Sequence, residues 1–233
     1  MTLLEARGLT RHFGGLRAVN GVDFALEAGE IHALIGPNGA GKTTFVSLLS
    51  GRIPAQSGTI RLRGRDITRL PAHARVRAGI AYTFQITQVY AALSVFDNVA
   101  LAVQGRGGHP LAAETMAALD RVGLADRAGQ TAGTLSYGHQ RVLEIAMGLA
   151  LRPLLLILDE PTQGLAEGEI ATFKDIVRSV VPQTTVLLIE HNMDVVMGLA
   201  QRITVLNFGE VLATGTPAEI RADPAVQAAY LGG

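Results

Sequence analysis

Residues 36–44 read GPNGAGKTT, and Gly36 through Thr43 match the pattern G-x-x-x-x-G-K-[ST]. These residue types at this spacing suit phosphate binding. Glycines at 36, 39 and 41 let the backbone wrap closely around an anion, with successive N–H groups turned inward. Asn38, Ala40 and Thr44 complete the binding segment, and the start of a following helix adds partial positive charge. Lys42 is expected to reach the β- and γ-phosphates of a nucleotide, and the Thr43 hydroxyl to ligate magnesium. The chain has only two lysines, Lys42 and Lys174, and one of them falls here. The competing reading, a glycine-rich turn capping an ordinary helix, is disfavoured because an apolar run precedes the loop and a helical pattern follows it.

A second group of candidates lies in residues 154–161, LLLILDEP. An apolar strand here ends in two carboxylates, at the carboxyl edge of a sheet, where open α/β sheets bind their ligands. Asp159 is the expected magnesium partner. Glu160 is placed to polarise an attacking water. Alternating side-chain direction at a strand end gives the two acids different surroundings. In isolation, Asp-Glu-Pro after a strand also reads as a helix N-cap. The phosphate loop earlier in the chain favours the catalytic reading.

Such side chains need a rigid sheet edge to hold them. Ile31–Ile35, residues 154–158 and Thr185–Ile189 are short apolar runs of strand length, as expected for strands buried on both faces, and residues 203–206 are a fourth candidate. Helical stripes lie between them. Val142, Leu143, Ile145, Ala146 and Leu149 form one, and Ile170, Phe173, Ile176, Val177 and Val180 another. Residues 42–49 are expected to be helical and residues 79–84 look strand-like. The fold class that follows is α/β: a phosphate-loop NTPase core with a mainly parallel sheet. Residues 22–26 and 59–62 predict a small antiparallel β subdomain. Residues from about 86 to 151 predict an inserted helical subdomain, with a loop at 104–110.

Composition narrows the function classes. Of 233 residues, 48% are hydrophobic and 17% charged, so a large core is expected and disorder is not. Lys+Arg and Asp+Glu are both 20, which gives no basic excess for nucleic acid. No cysteine is present, which excludes disulfides, thiolate metal sites and cysteine nucleophiles. The first thirty residues lack the pattern of a signal peptide, so the chain is expected to stay in the cytosol. The longest apolar stretch, 145–158, is broken by Arg152 and Pro153 and is too short to span a bilayer. Any membrane role therefore requires docking onto spanning subunits. Residues 61–77 hold six arginines and one acid, Asp66. This reads chiefly as a solvated face, with contact to acidic partner loops or lipid headgroups as the functional alternative.

Taken together, Gly36–Thr43, Gln85, 135–139, 154–160 and His191 stand in the order found in the ATP-binding cassette family, and the chain resembles that family over nearly its whole length. The resemblance implies one ATP-binding domain over 1–233. Residues 135–139 read LSYGH where the family usually shows LSGGQ, keeping Ser136 and Gly138. There the segment caps the γ-phosphate of ATP bound to the opposite subunit; alone, it reads equally as an N-capped helix start. Gln85 resembles the glutamine that contacts magnesium and water and reports to the membrane subunits. His191, 31 positions after Glu160, resembles the histidine that bonds the γ-phosphate and orients the water. Phe13 resembles the adenine-stacking aromatic, for which a π face suffices. Val19 is a candidate ribose contact, and core packing is the other role open to both. Residues 163–166, QGLA, end in Ala166 where many relatives carry an Asp that couples the two sites.

The resemblance implies an ATPase with ATP and Mg²⁺ as ligands, paired head to tail with a second cassette of the same or a paralogous chain. It also implies transmembrane permease subunits, an indirect substrate-binding protein, no nucleic acid, and a peripheral place on the cytoplasmic face of the membrane. Residues 11–19, 135–146, 189–200 and 225–232 resemble the branched-chain amino acid uptake group. Import of urea or short amides, and a soluble non-transport ATPase of the family, are the alternatives.

Overall fold

The computed structural model describes residues 1–83, 88–107, 110–181 and 183–231. Two sheets organise the chain. The smaller has the order β2 (Leu16–Glu27), β1 (Thr2–Phe13), β4 (Ser57–Leu62), β5 (Arg65–Asp66), with antiparallel pairing throughout. The larger has the order β10 (Glu210–Gly215), β9 (Arg202–Asn207), β3 (Ile31–Ile35), β8 (Thr185–Ile189), β7 (Leu155–Asp159), β6 (Ile80–Thr83). It is parallel except where β10 turns back on β9.

The strands β3, β7 and β8 are buried at every position. The alternation of β7 and β8 feeds two cores, while Ala33 and Ile35 of β3 join a third with Ile203 and Val205 of β9. Leu156, Leu158, Val186 and Leu188 face one core, and Leu155, Ile157, Leu187 and Ile189 the other. The first core is shared with α5 (Tyr137–Ala150), α6 (Glu167–Val180) and the inserted helices α3 (Val95–Arg106) and α4 (Leu111–Asp120). On α6 the expected stripe is present, with Phe173, Ile176, Val177 and Val180 buried and Ile170 partly so. The second core lies between the large sheet and the small one and encloses α1 (Lys42–Ser50). Between 86 and 151 every α-helix described belongs to the insert, and α3 runs to Arg106, three residues into the expected loop. The remaining helices are α2 (Ala72–Ala78), α7 (Met193–Leu199), α8 (Pro217–Ala222) and α9 (Pro224–Leu231). Among the described residues no helix is long and apolar enough to cross a membrane.

The arginine run at 61–77 divides. Five of its arginines are exposed, but Arg75 is 2% exposed, so for this residue the solvated-face reading is corrected. Its guanidinium donates to the carbonyls of Leu48 (2.6 Å) and Leu49 (2.8 Å), in the last turn of α1, and to those of Leu70 (2.9 Å) and Thr68 (2.8 Å). One planar cation thus donates to four carbonyls, two of them in fully buried bonds. Burial lowers the Arg75 pKa to about 10.

Candidate functional site

The order β3–β8–β7 puts three chemistry-bearing strand ends side by side at one sheet edge. The phosphate loop follows β3, His191 follows β8, and the acid pair closes β7. Strands lie about 4.8 Å apart, so the phosphate loop and the acid pair are separated by roughly 10 Å, room for a phosphate chain.

The loop joins β3 to α1, and its glycines are required by close backbone approaches. A Cβ on Gly36 would lie 2.2 Å from the carbonyl oxygen of Leu206, and one on Gly41, at φ 99°, 2.1 Å from that of Ala18. Asn38 and Gly39 are exposed at the tip; Ala40 is buried and its carbonyl accepts from the Gly209 N–H at 3.0 Å. Gly41 caps α1 without a side-chain hydrogen bond, and no acid lies in the first turn. The first-turn N–H groups of Lys42, Thr43 and Thr44 thus face outward with no intrahelical acceptor, which suits an anion. The Lys42 ammonium donates to the carbonyls of Gly36 (2.6 Å) and Pro37 (3.0 Å) and so sits over the loop. Burial lowers its pKa, and the charges of Glu160 and Asp159 act against that shift.

Asp159 and Glu160 do have different surroundings. Asp159 is buried and accepts from the Tyr82 hydroxyl at 2.5 Å. Burial raises its pKa and the Glu160 charge adds to the rise, while Tyr82, Arg52 and Lys42 oppose it. Burial, then the bond to Asp159, pushes the Tyr82 phenol up. Glu160 is half-buried and sits at φ 47°, in the left-handed region that disfavours non-glycine residues. Its N–H donates to the Ile189 carbonyl at 2.9 Å, which ties the acid loop to the end of β8. His191 is exposed just beyond that point.

No group of three or more His, Cys, Asp or Glu residues among those described forms a metal cage. Magnesium on a nucleotide does not need one, because phosphates and water fill most of its octahedron. The Thr43 hydroxyl and the Asp159 carboxylate are oxygen donors of the right kind, and the residues present fit such an ion.

Ser136 and Gly138 lie at the start of α5. The Ser136 hydroxyl caps the helix, accepting from the His139 N–H at 3.3 Å, and lies 2.7 Å from His139 Nδ1. Gly138 is buried against Glu169, whose Oε1 would be 2.1 Å from a Cβ there. The two departures Tyr137 and Ala166 belong to one neighbourhood. The Tyr137 ring packs on Gly164, and the Ala166 N–H donates to Glu169 at 2.9 Å. None of these contacts reaches the phosphate loop, so Ser136 and Gly138 are not brought to it within one chain.

Phe13 ends β1, 46% exposed, with the Arg11 guanidinium 4.9 Å from its ring centroid. Val19 is corrected: it has no exposed surface and lies in the core under the small sheet, so its role is packing rather than ribose contact. Gln85 lies outside the described residues. Two residues that sequence reasoning missed stand out, Tyr82 on Asp159 and Glu190 beside His191. A charged residue ending a wholly apolar strand, as at Asp159, is the signal that marks Glu190.

Residues 19–163 match the family model described as ABC transporter, and residues 210–233 match that of the branched-chain amino acid ATP-binding cassette transporter. BraF of Pseudomonas aeruginosa, a high-affinity branched-chain amino acid transport ATP-binding protein, is 41% identical over 99% of this chain and 98% of its own. LivG of Escherichia coli, which carries the same description, is 40% identical over the same shares. An ATP-binding cassette of an ABC transporter, solved in its ADP conformation, superposes with a TM-score of 0.91 over 100% of both chains at 26% identity. A nucleotide-free cassette gives 0.91 at 27% identity, again over 100% of both.

Proposed function

The chain belongs to the ABC transporter family, and on that premise we propose that it is the ATP-hydrolysing subunit of a transporter that imports branched-chain amino acids. In this reading residues 1–233 are one ATP-binding domain, with the helical insert at about 86–151. It sits at the cytoplasmic face of the membrane against permease subunits, which a substrate-binding protein supplies. It works in a pair with a second cassette, identical or paralogous.

Backbone N–H groups of residues 36–44, where Pro37 alone has none, bind the phosphates of ATP, with Lys42 neutralising the β and γ positions. Phe13 stacks on the adenine. Thr43 and Asp159, joined by Gln85, would hold magnesium, which would supply charge neutralisation on the phosphates. Glu160 draws the proton from the attacking water, and His191 orients that water and bonds the γ-phosphate. Ser136 and Gly138 act on the ATP of the opposite cassette: a serine hydroxyl and a helix N-terminus complete the cage around the γ-phosphate. That division of labour agrees with their separation from the phosphate loop within one chain.

The observation that carries the hydrolytic reading is the convergence of Lys42, Asp159, Glu160 and the end of β8 at one sheet edge. The substrate class is supported by the likeness of residues 210–233 and of the whole chain to branched-chain amino acid transport proteins. Uptake of labelled leucine, valine and urea by cells carrying either the native chain or Lys42→Ala tests it. The variant is expected to lose leucine and valine uptake and to leave urea uptake alone. Loss of urea uptake with leucine unaffected would move the assignment to the amide-import alternative.

A further inference from the structure

Glu190 separates β8 from His191, and its side chain is 1% exposed. Both carboxylate oxygens are fully used. Oε1 accepts from the Thr162 N–H at 3.0 Å and from the Thr162 hydroxyl. Oε2 accepts from the N–H groups of His191 (2.9 Å) and Asn192 (3.1 Å). Thr162 lies two residues beyond Glu160, so one carboxylate clasps the turn that carries Glu160 to the turn that carries His191. The Glu160 N–H bond to the Ile189 carbonyl runs parallel to it.

The residue type follows from this task. A buried carboxylate is tolerated only when donors fill its lone pairs, and here four donors from two loops do so. An amide of the same shape has one accepting oxygen and an NH₂ that would face N–H donors. A serine or threonine hydroxyl is too short to reach both turns. The fold has no need of a charge at the end of β8, because the neighbouring strand ends are already joined by backbone bonds.

We propose that Glu190 is a positioning residue for ATP hydrolysis: its carboxylate fixes the His191 turn against the Glu160 turn, so that both side chains meet the same water. This rests on the hydrolytic reading above. The glutamate touches neither nucleotide nor water and acts through its two neighbours.

The test is steady-state ATP hydrolysis by the assembled transporter. Glu190→Gln is expected to lower kcat by roughly 10–10²-fold, the cost of a small misplacement of catalytic groups. KM for ATP should stay within about twofold, because the phosphate loop is untouched. The deciding measurement is a double-mutant cycle with His191→Ala. Because Glu190 acts through His191 as well as through the Glu160 turn, adding Glu190→Gln to His191→Ala is expected to cost at least about threefold less than the same change in the native chain. The same multiplicative loss in both backgrounds would overturn the proposal, as would an effect confined to KM.

Thr162→Val removes one donor while preserving shape, and it carries the test if Glu190→Gln does not fold. A loss of about 3–10-fold in kcat at constant KM is expected from it, and an unchanged kcat overturns the proposal. Normal hydrolysis in Glu160→Gln and His191→Ala would overturn the hydrolytic reading itself. A loss in those two with none in Glu190→Gln or Thr162→Val would overturn this inference alone.

Discussion

Two adjacent carboxylates, Asp159 and Glu160, differ in burial, backbone strain and partner, and each difference bears on a separate task. Glu160, strained and half-buried, is the proposed base. Glu160→Gln is expected to keep ATP affinity and slow turnover by roughly 10²–10⁴-fold, read as unchanged nucleotide titration beside a collapsed kcat. Asp159 is held where its charge is unwelcome until a cation arrives, since burial raises its pKa. Asp159→Asn should therefore raise the Tm of the nucleotide-free chain in chelator by about 2–4 °C near neutral pH. A carboxyl whose folded-state pKa lies above its unfolded value favours the fold at low pH and loses that contribution as pH rises through the folded value. The gain from Asn should accordingly fade on acidification, and thermal melts across pH check both size and sign. The loop at 36–44, between strand and helix, was legible because spacing and residue type suffice to mark it. Val19 was misread because an apolar residue near an aromatic carries no mark distinguishing a ribose contact from core.

At the scale of elements, positions with one buried environment on both faces were the readable ones. The structure returns Thr185–Ile189 and Ile31–Ile35 with the bounds their apolar runs predicted. β1 was not anticipated, because TLLEARGLTRHF interrupts its alternation and its pairing with β2 shifts register four times. β10 is half-exposed and carries no apolar run. Arg75 was hidden for a different reason: in a run of arginines, composition cannot tell a solvated guanidinium from one that caps a helix. The difference is measurable. Arg75→Ala removes the guanidinium donor from four carbonyls and should cost about 2–4 kcal/mol of stability, whereas Arg61→Ala and Arg69→Ala, at exposed positions, should stay within about 0.5 kcal/mol. Urea unfolding of the three variants compares them directly, and equal effects would remove the capping role.

At the scale of the molecule, strand order does what no local pattern announces. Placing β8 between β3 and β7 sets His191 between the phosphate loop and the acid pair, although the three lie far apart in sequence. In the reading proposed above, Ser136 and Gly138 act on the ATP of the opposite cassette, so one chain would hold two half-sites and need a second cassette to complete either. The claim on which this account depends is that hydrolysis at the sheet edge is harnessed to movement of a branched-chain amino acid. The direct measurement is ATP hydrolysis in proteoliposomes containing this chain, its permeases and the binding protein, with and without leucine. The account predicts hydrolysis that leucine stimulates and that Glu160→Gln abolishes with or without it. Hydrolysis indifferent to leucine, and undiminished by Glu160→Gln, would contradict it.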